Sequence, residues 1–364
     1  MAGKVYIIGA GASKNETLSL PISMPLANEF FQKVYIDNFW NHNEVNFESS
    51  SLLKILVHYF NFNKDKNFDV NIEEIYSFLE TFLNSYKFQL NRIGKNTVEN
   101  AKIELLQYVY DVIRFIPWNF EDSSFYNFLA SNIDENDSII TFNWDTMLES
   151  ALRKTKMGKR LLANQNYLLN PLLSSFSNQS NYEETAKQNL HKGYFLKLHG
   201  SINLALCTND KCWHNSIPFR FSTREELPEL WACHACGNPL RLFIMPPFIH
   251  KSYNLNRFFQ LQANLAVEKL SIAEEVIIVG YAFPIYDIDV QTLFRVIKLG
   301  PSETSSNHWL DKVTIVNPQI RNRSYISNIK NILGLNNAKE TYGHKILLSL
   351  YDSIEKFLKD KGNF

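Results

Sequence analysis

The sequence predicts an α/β fold, a parallel sheet covered by helices, on three observations. Five short runs are almost continuously apolar and rich in β-branched and aromatic residues, as strands buried on both faces are. Amphipathic helical stripes lie between them. Each run is followed by a glycine-rich or polar segment. Composition agrees: 364 residues, 45% hydrophobic and 20% charged, with 27 Phe and 17 Tyr, exclude a disordered, collagen-like or low-complexity chain. The length suits one large domain with an insertion or an attached module.

The first run, Lys4 to Ile8, leads into Gly9-Ala-Gly-Ala-Ser13. A lone Lys before a short apolar stretch that ends in glycines reads as a buried strand entering a turn, not as a signal peptide. Residues 31–130 hold helical stripes and no run that reads as a strand, too long a stretch for a simple crossover, so they form a predicted helical insertion. One stripe is Ile75, Phe78, Leu79, Phe82, Leu83 and Tyr86; another is Ile103, Leu106, Val109, Ile113 and Ile116.

The second run, Ser138 to Phe142, enters Asn143-Trp-Asp145. The Asn-, Ser- and Gln-rich stretch from Leu161 to Gln188 reads as a surface loop. The third run, Tyr194 to Leu198, enters His199-Gly-Ser201; the fourth, Glu275 to Val279, enters Gly280-Tyr-Ala-Phe283; the fifth, Lys312 to Val316, enters Asn317-Pro318. A last stripe, Leu347, Leu350, Tyr351, Ile354, Phe357 and Leu358, predicts a closing helix. The expected organisation is a Rossmann-like domain from residues 1–30, 131–206 and 237–364, the insertion 31–130, and a cysteine module 207–236.

In an open parallel sheet the carboxyl ends of the strands line one crevice, where ligands bind, so the five polar segments should converge. Gly9, Ala10, Gly11 and Ser13 are small enough to let backbone N–H groups approach a pyrophosphate. Lys14 stands where a dinucleotide fingerprint has its third glycine, so the motif by itself equally describes a tight strand-to-helix turn. His199 sits just past an apolar strand and before a glycine, a position that favours function over packing. Asn143 and Asp145 equally suit a turn or a helix cap. Thr141, Ser201, Gly280, Tyr281 and Asn317 complete the candidate ligand-contacting set at the strand ends.

Cys207 and Cys212 are separated by four residues, Cys233 and Cys236 by two, with twenty between the pairs, a zinc-ribbon spacing. Four thiolates fill a tetrahedral site and leave no open position, so the zinc is structural. His214 and His234 are nearby substitutes, and a pair of disulfides is the alternative. No apolar run approaches the ~20 residues that cross a bilayer. The longest, Val276 to Tyr286, is broken by Gly280 and Pro284. With 37 Lys plus Arg against 37 Asp plus Glu, no global field draws the chain to nucleic acid or anionic lipid. The expectation is a cytoplasmic protein without membrane attachment or strong direct nucleic-acid binding.

The ordered set GAGAS, TFNWD (Thr141 to Asp145), KLHGS (Lys197 to Ser201), a four-cysteine module, VGYAF and IVNP resembles the sirtuin family and its prokaryotic sirtuin-like relatives. The resemblance covers most of the chain outside the insertion. It implies NAD as substrate. In that family the matching Asn orients water and the ribose, the Asp holds the nicotinamide amide and the His is catalytic; these map to Asn143, Asp145 and His199. The glycine-rich loop maps to Gly9, Gly11 and Ser13, and the adenosine-side contacts to Gly280 and Asn317.

Two departures bear on activity. Deacylating sirtuins carry Ile-Pro-Asp-Phe-Arg after the first loop, where this chain has Leu20-Pro-Ile-Ser-Met-Pro25. They carry Phe-Gly-Glu after the zinc module, where this chain has Met245-Pro-Pro-Phe-Ile-His-Lys251. The resemblance therefore implies an NAD hydrolase giving ADP-ribose and nicotinamide, of the kind that serves bacterial antiphage defence. The alternative is an NAD-dependent protein-lysine deacylase, and a third reading is a catalytically silent assembly subunit. Relatives of this pattern are often oligomeric or paired with a HerA-like ATPase or an Argonaute. Cleavage of the nicotinamide–ribose bond expels a neutral pyridine and needs no general acid. The site must supply orientation, stabilisation of an oxocarbenium-like state and a positioned water. Asn143 suits the water, and His199 suits proton removal from water or a ribose hydroxyl; attack by that hydroxyl gives a cyclic product.

Overall fold

The computed structural model describes residues 3–32, 34–35, 50–63, 70–84, 94–118, 124–163, 192–215, 218–220, 232–245, 257–284, 287–295, 297, 310–338 and 345–362. Strands β1 (Lys4–Ile8), β2 (Ser138–Thr141) and β3 (Phe195–Lys197) come first along the chain. They are followed by β4 (Gly200–Cys207), β5 (Phe219–Arg220) and β6 (Leu240–Ile244), then by β7 (Glu275–Val279), β8 (Lys312–Val316) and β9 (Leu347–Tyr351).

Six strands form one parallel sheet in the order β3-β2-β1-β7-β8-β9. Counted within that sheet the order is 3-2-1-4-5-6, the Rossmann-like doubly wound arrangement. Winding reverses between β1 and β7, and such a switch point leaves a crevice beyond the carboxyl ends. The register makes those ends level: Ile8 pairs with Thr141 and with Val279, Val279 with Val316, and Val316 with Tyr351. The polar segments after the strands therefore leave along one edge, as the sequence predicts.

Alternation along the strands feeds two cores. Tyr6 and Ile8 join the core on one face, and Val5 and Ile7 the core on the other. Helices cover both faces: α1 (Ala10–Glu16), α2 (Ser51–Phe60), α3 (Ile72–Asn84), α4 (Lys95–Arg114) and α5 (Phe125–Asn132) precede β2. Then come α6 (Met147–Leu152), α7 (Arg257–Ser271), α8 (Ile288–Arg295), α9 (Arg323–Ile332) and α10 (Ile354–Asp360). Ser50 caps α2, its Oγ accepting from Leu53 N at 3.1 Å, and Asn61 closes it in the left-handed region at φ 51°. The two stripes predicted within 31–130 lie on α3 and α4 except at their ends: Tyr86 lies outside the described residues, Ile116 follows the end of α4, and Ile103 lies on α4 but is exposed.

Two expectations need correction. The stripe from Leu347 to Leu358 is not one helix: Leu347–Tyr351 is the edge strand β9, and α10 begins only at Ile354. Spacing of three and four also fits the nearly continuous apolar run from Ile346 to Tyr351, and β8 offers it a parallel partner. Ser353 then starts the helix by accepting from Lys356 N at 3.3 Å. In addition, residues 161–163 finish a helix where a loop was expected, while 164–188 lie outside the described residues. Strands β4, β5 and β6, which the five runs do not include, form a separate antiparallel sheet in the order β5-β4-β6. This small sheet carries the cysteine module.

Candidate active site

At the switch point the turns after β1 and β7 meet backbone to backbone. Gly9 N donates to Val279 O at 3.0 Å, and Gly11 N to Gly280 O at 2.9 Å. Gly280 has φ +65°, and a Cβ there would lie 2.2 Å from Ala12 N; a Cβ on Gly9 would lie 2.6 Å from Gly280 O. Only glycine fits such an approach. The plain reading of Gly9 and Gly11 as a tight turn is thus accounted for by packing, and it is this packing that brings α1 over the crevice.

The turn after β2 is knitted into that turn. Asn143 Nδ2 donates to Gly9 O at 3.1 Å and to Ser13 Oγ at 2.9 Å. A carbonyl only accepts, so the amide orientation is fixed. Ser13 Oγ also donates to Asp145 Oδ2 at 2.7 Å and lies 2.7 Å from Tyr126 OH. With one donor and two acceptor sites, the hydroxyl is saturated by these three neighbours. The single Ser13 proton goes to Asp145, so Tyr126 is the donor to Ser13; burial, reinforced by Asp145, holds the Tyr126 phenol well above its ordinary pKa. Asp145 Oδ1 accepts from Met147 N at 2.9 Å, capping the start of α6. Burial raises the Asp145 pKa, opposed chiefly by Lys197. Both oxygens of Asp145 and the whole hydroxyl of Ser13 therefore have partners within the chain.

What this network leaves over is one atom. Asn143 Oδ1 is buried and has no hydrogen-bond partner among the described residues. A buried acceptor left this way costs about 1–3 kcal/mol until something donates to it. Asn143 lines a cavity of about 750 Å³ beyond the strand ends, together with Gly11, His199, Gly280, Tyr281 and Asn317. Ala10 and Asp145 also line it, whereas Gly9, Ser13, Thr141 and Ser201 are not lining residues. Thr141 Oγ1 accepts from Asn143 N at 3.1 Å, and Ser201 Oγ donates to Trp144 O at 3.2 Å, so both support the turn. Asn317 caps the turn after β8 through Gln319 N and donates to Tyr281 O at 3.1 Å.

His199 lies between β3 and β4, where Gly200 at φ +74° turns the chain from one sheet into the other. The residue is buried, and its ring packs 4.9 Å from the Phe142 ring. Below the site Lys197 and Glu149 form an ion pair at 2.8 Å, each 1% exposed. Lys197 Nζ also donates to Asp145 O. The Lys197 backbone is bracketed by Gln262, which accepts from its N at 2.7 Å and donates to its O at 3.2 Å. Tyr126, Glu149, Gln262 and Asp287 are site-building residues that the strand-end motifs do not include. Only Asp287, closely following VGYAF, carried a signal by position.

The sequence-predicted metal ligands do come together. The four Sγ atoms of Cys207, Cys212, Cys233 and Cys236 lie within 4.8 Å of one another. Zn–S bonds of about 2.3 Å in a tetrahedron imply S–S edges of about 3.8 Å; Cys212–Cys233 at 3.9 Å matches this, and Cys207–Cys236 at 3.4 Å is somewhat shorter. Both distances exceed the bond length of about 2.05 Å that a disulfide requires. After Cys233, the Cys236 and Gly237 N–H groups turn back on its carbonyl, with Gly237 at φ +71°. These four thiols could hold a metal ion, and His214 and His234 are outside the group.

The chain matches no family profile and no curated protein sequence. Among solved structures it is similar to a complex of a mutant Sir2 homologue with ADP-ribose, at 12% identity and a TM-score of 0.36, covering 91% of this chain and 93% of that one. It is also similar to a structure described as the basis of sirtuin substrate affinity, at 13% identity and a TM-score of 0.34, covering 98% of this chain and 92% of that one. The Rossmann-like assignment stands on the strand order and register of this chain alone.

Proposed function

We propose that this chain is a sirtuin-like NAD hydrolase, which cleaves the nicotinamide–ribose bond to give nicotinamide and ADP-ribose. The observation that carries the reading is the Asn143 amide. Its Nδ2 is locked on Gly9 O and Ser13 Oγ, its Oδ1 is buried without a hydrogen-bond partner among the described residues, and the residue lines the cavity that His199 also lines. An acceptor held at a fixed position orients a water or ribose hydroxyl for in-line attack, and an imidazole in the same cavity takes its proton. The leaving nicotinamide departs neutral, so the remaining task of the site is positioning. Asp145 holds the turn that presents Asn143, and gripping the nicotinamide amide is a second role for it. Gly11, Gly280 and Asn317 suit the nucleotide end of the cavity, near the switch point.

The zinc module has a structural role in this reading, since four thiolates complete the coordination of the ion. The cellular role we propose is antiphage defence, with activity controlled by homo-oligomerisation or by a HerA-like ATPase or Argonaute partner. The test is to incubate the purified chain, at assembling concentration and with any partner its activity requires, with NAD and to separate the products by chromatography, with and without an acylated lysine peptide. Nicotinamide and ADP-ribose appearing in equal amounts without peptide is the expected result. NAD loss that requires the peptide would replace hydrolysis with deacylation.

A further inference from the structure

We propose that Asp287 is the positioning residue of His199, a buried carboxylate that fixes the tautomer and orientation of the imidazole; the inference rests on the NAD-cleaving role given to His199 above. Asp287 Oδ2 stands 3.3 Å from His199 Nε2, and the two side chains are 1% and 4% exposed. The same oxygen accepts a 2.8 Å hydrogen bond from Tyr281 OH. Both Asp287 and His199 line the cavity.

The backbone brings Asp287 there by construction. After β7 the chain takes two left-handed residues, Gly280 at φ +65° and Phe283 at φ +51°. An aromatic residue at positive φ is uncommon and persists only where its surroundings hold it. The Phe283 ring is clasped between Tyr281, at 4.8 Å, and Phe294, at 5.0 Å. The turn closes with Asp287 N donating to Pro284 O at 3.1 Å and Gln291 N donating to Asp287 O at 3.0 Å. Asp287 thus immediately precedes α8.

A cap role alone does not require the Asp287 carboxylate to lie against an imidazole and a phenol. The contact is an ion-pair distance and not an aligned hydrogen bond, and catalytic hydrogen bonds often tighten only when substrate binds. A neutral imidazole that gives its Nε2 proton to the carboxylate carries its lone pair on Nδ1, which makes Nδ1 the atom that takes a proton from water or a ribose hydroxyl. The resulting imidazolium is then stabilised by the adjacent negative charge.

The experiment uses Asp287→Asn in the full chain, in whatever assembly the wild type needs for turnover. Asn caps a helix about as well as Asp, so the start of α8 survives. We expect kcat for nicotinamide release to fall about 10²–10⁴-fold with KM near the wild-type value and the melting midpoint retained. In protein labelled with ¹⁵N-histidine, the His199 ring nitrogens should leave the Nε2-protonated pattern. Wild-type kcat, or a fall in kcat with unchanged His199 resonances, would overturn the proposal. Should Asp287→Asn fail to fold, Tyr281→Phe removes one bond to the carboxylate: a smaller fall in kcat with a shift of the His199 resonances supports the pairing, and wild-type behaviour in both overturns it. The spectra are read without turnover, so an inactive wild type refutes the hydrolase reading while leaving the His199–Asp287 pairing to be decided separately.

Discussion

The Ser13 hydroxyl lies 2.7 Å from Asp145 Oδ2, tying helix α1 to the turn after β2. Both groups are buried, and the same hydroxyl receives Asn143 and Tyr126. Ser13→Ala should therefore leave the Asp145, Asn143 and Tyr126 groups short of a partner, costing about 1–3 kcal/mol in urea unfolding. It should also lower kcat for nicotinamide release, although Ser13 is not a lining residue of the cavity. A variant as stable and active as the wild type would mean that the network does not hold Asn143.

Lys197 and Glu149 test the foundation of the site. Removing one partner of a buried ion pair leaves the other charge stranded, so Lys197→Met should cost about 3–5 kcal/mol. Lys197→Met combined with Glu149→Leu should recover a large part of that loss, because an apolar pair of similar volume carries no desolvation penalty. A double-mutant cycle by denaturant unfolding measures the coupling. Strict additivity would show that the two side chains do not interact.

Much of the fold was legible because each central strand is buried on both faces and so reads as an unbroken apolar run. Lys4–Ile8, Glu275–Val279 and Lys312–Val316 begin and end where the sequence puts them. β9 was not legible, since its apolar spacing also fits a helix and what decides for a strand is pairing with β8, a contact distant in sequence. In the site, Asn143, His199 and Asn317 were visible from their places after strands. Tyr126 and Glu149 were not: each lies on a helix, and only the tertiary structure brings Tyr126 to Ser13 and Glu149 to Lys197. The use of the Ser13 hydroxyl inside the protein was not legible for the same reason.

Purified protein should carry a single zinc per chain, held by the four thiols that cluster within 4.8 Å. Cys233→Ser or Cys236→Ser should lower soluble yield and melting temperature more than kcat per folded molecule, since binding energy at a structural site is folding energy. Elemental analysis checks this. Folded, fully active protein without metal would contradict it.

Activity should depend on assembly. An unrestrained hydrolase would drain the NAD of the cell that makes it, so the specific rate should fall on dilution below the association range or in the absence of a partner. Rate measured against protein concentration, alongside light scattering, decides the point. A dilute monomer working at full rate would remove this control.

The most direct measurement is nicotinamide release from NAD by His199→Ala beside the wild type, with no acylated peptide present. His199 and Asn143 line the same cavity, so the wild type, with any partner it requires, should yield nicotinamide and ADP-ribose. The variant should be slower by about 10²-fold or more, the usual contribution of a positioned acid–base group, with its circular dichroism spectrum unchanged. Equal turnover by the two proteins, or release from the wild type only after an acylated peptide is added, would contradict the hydrolase reading.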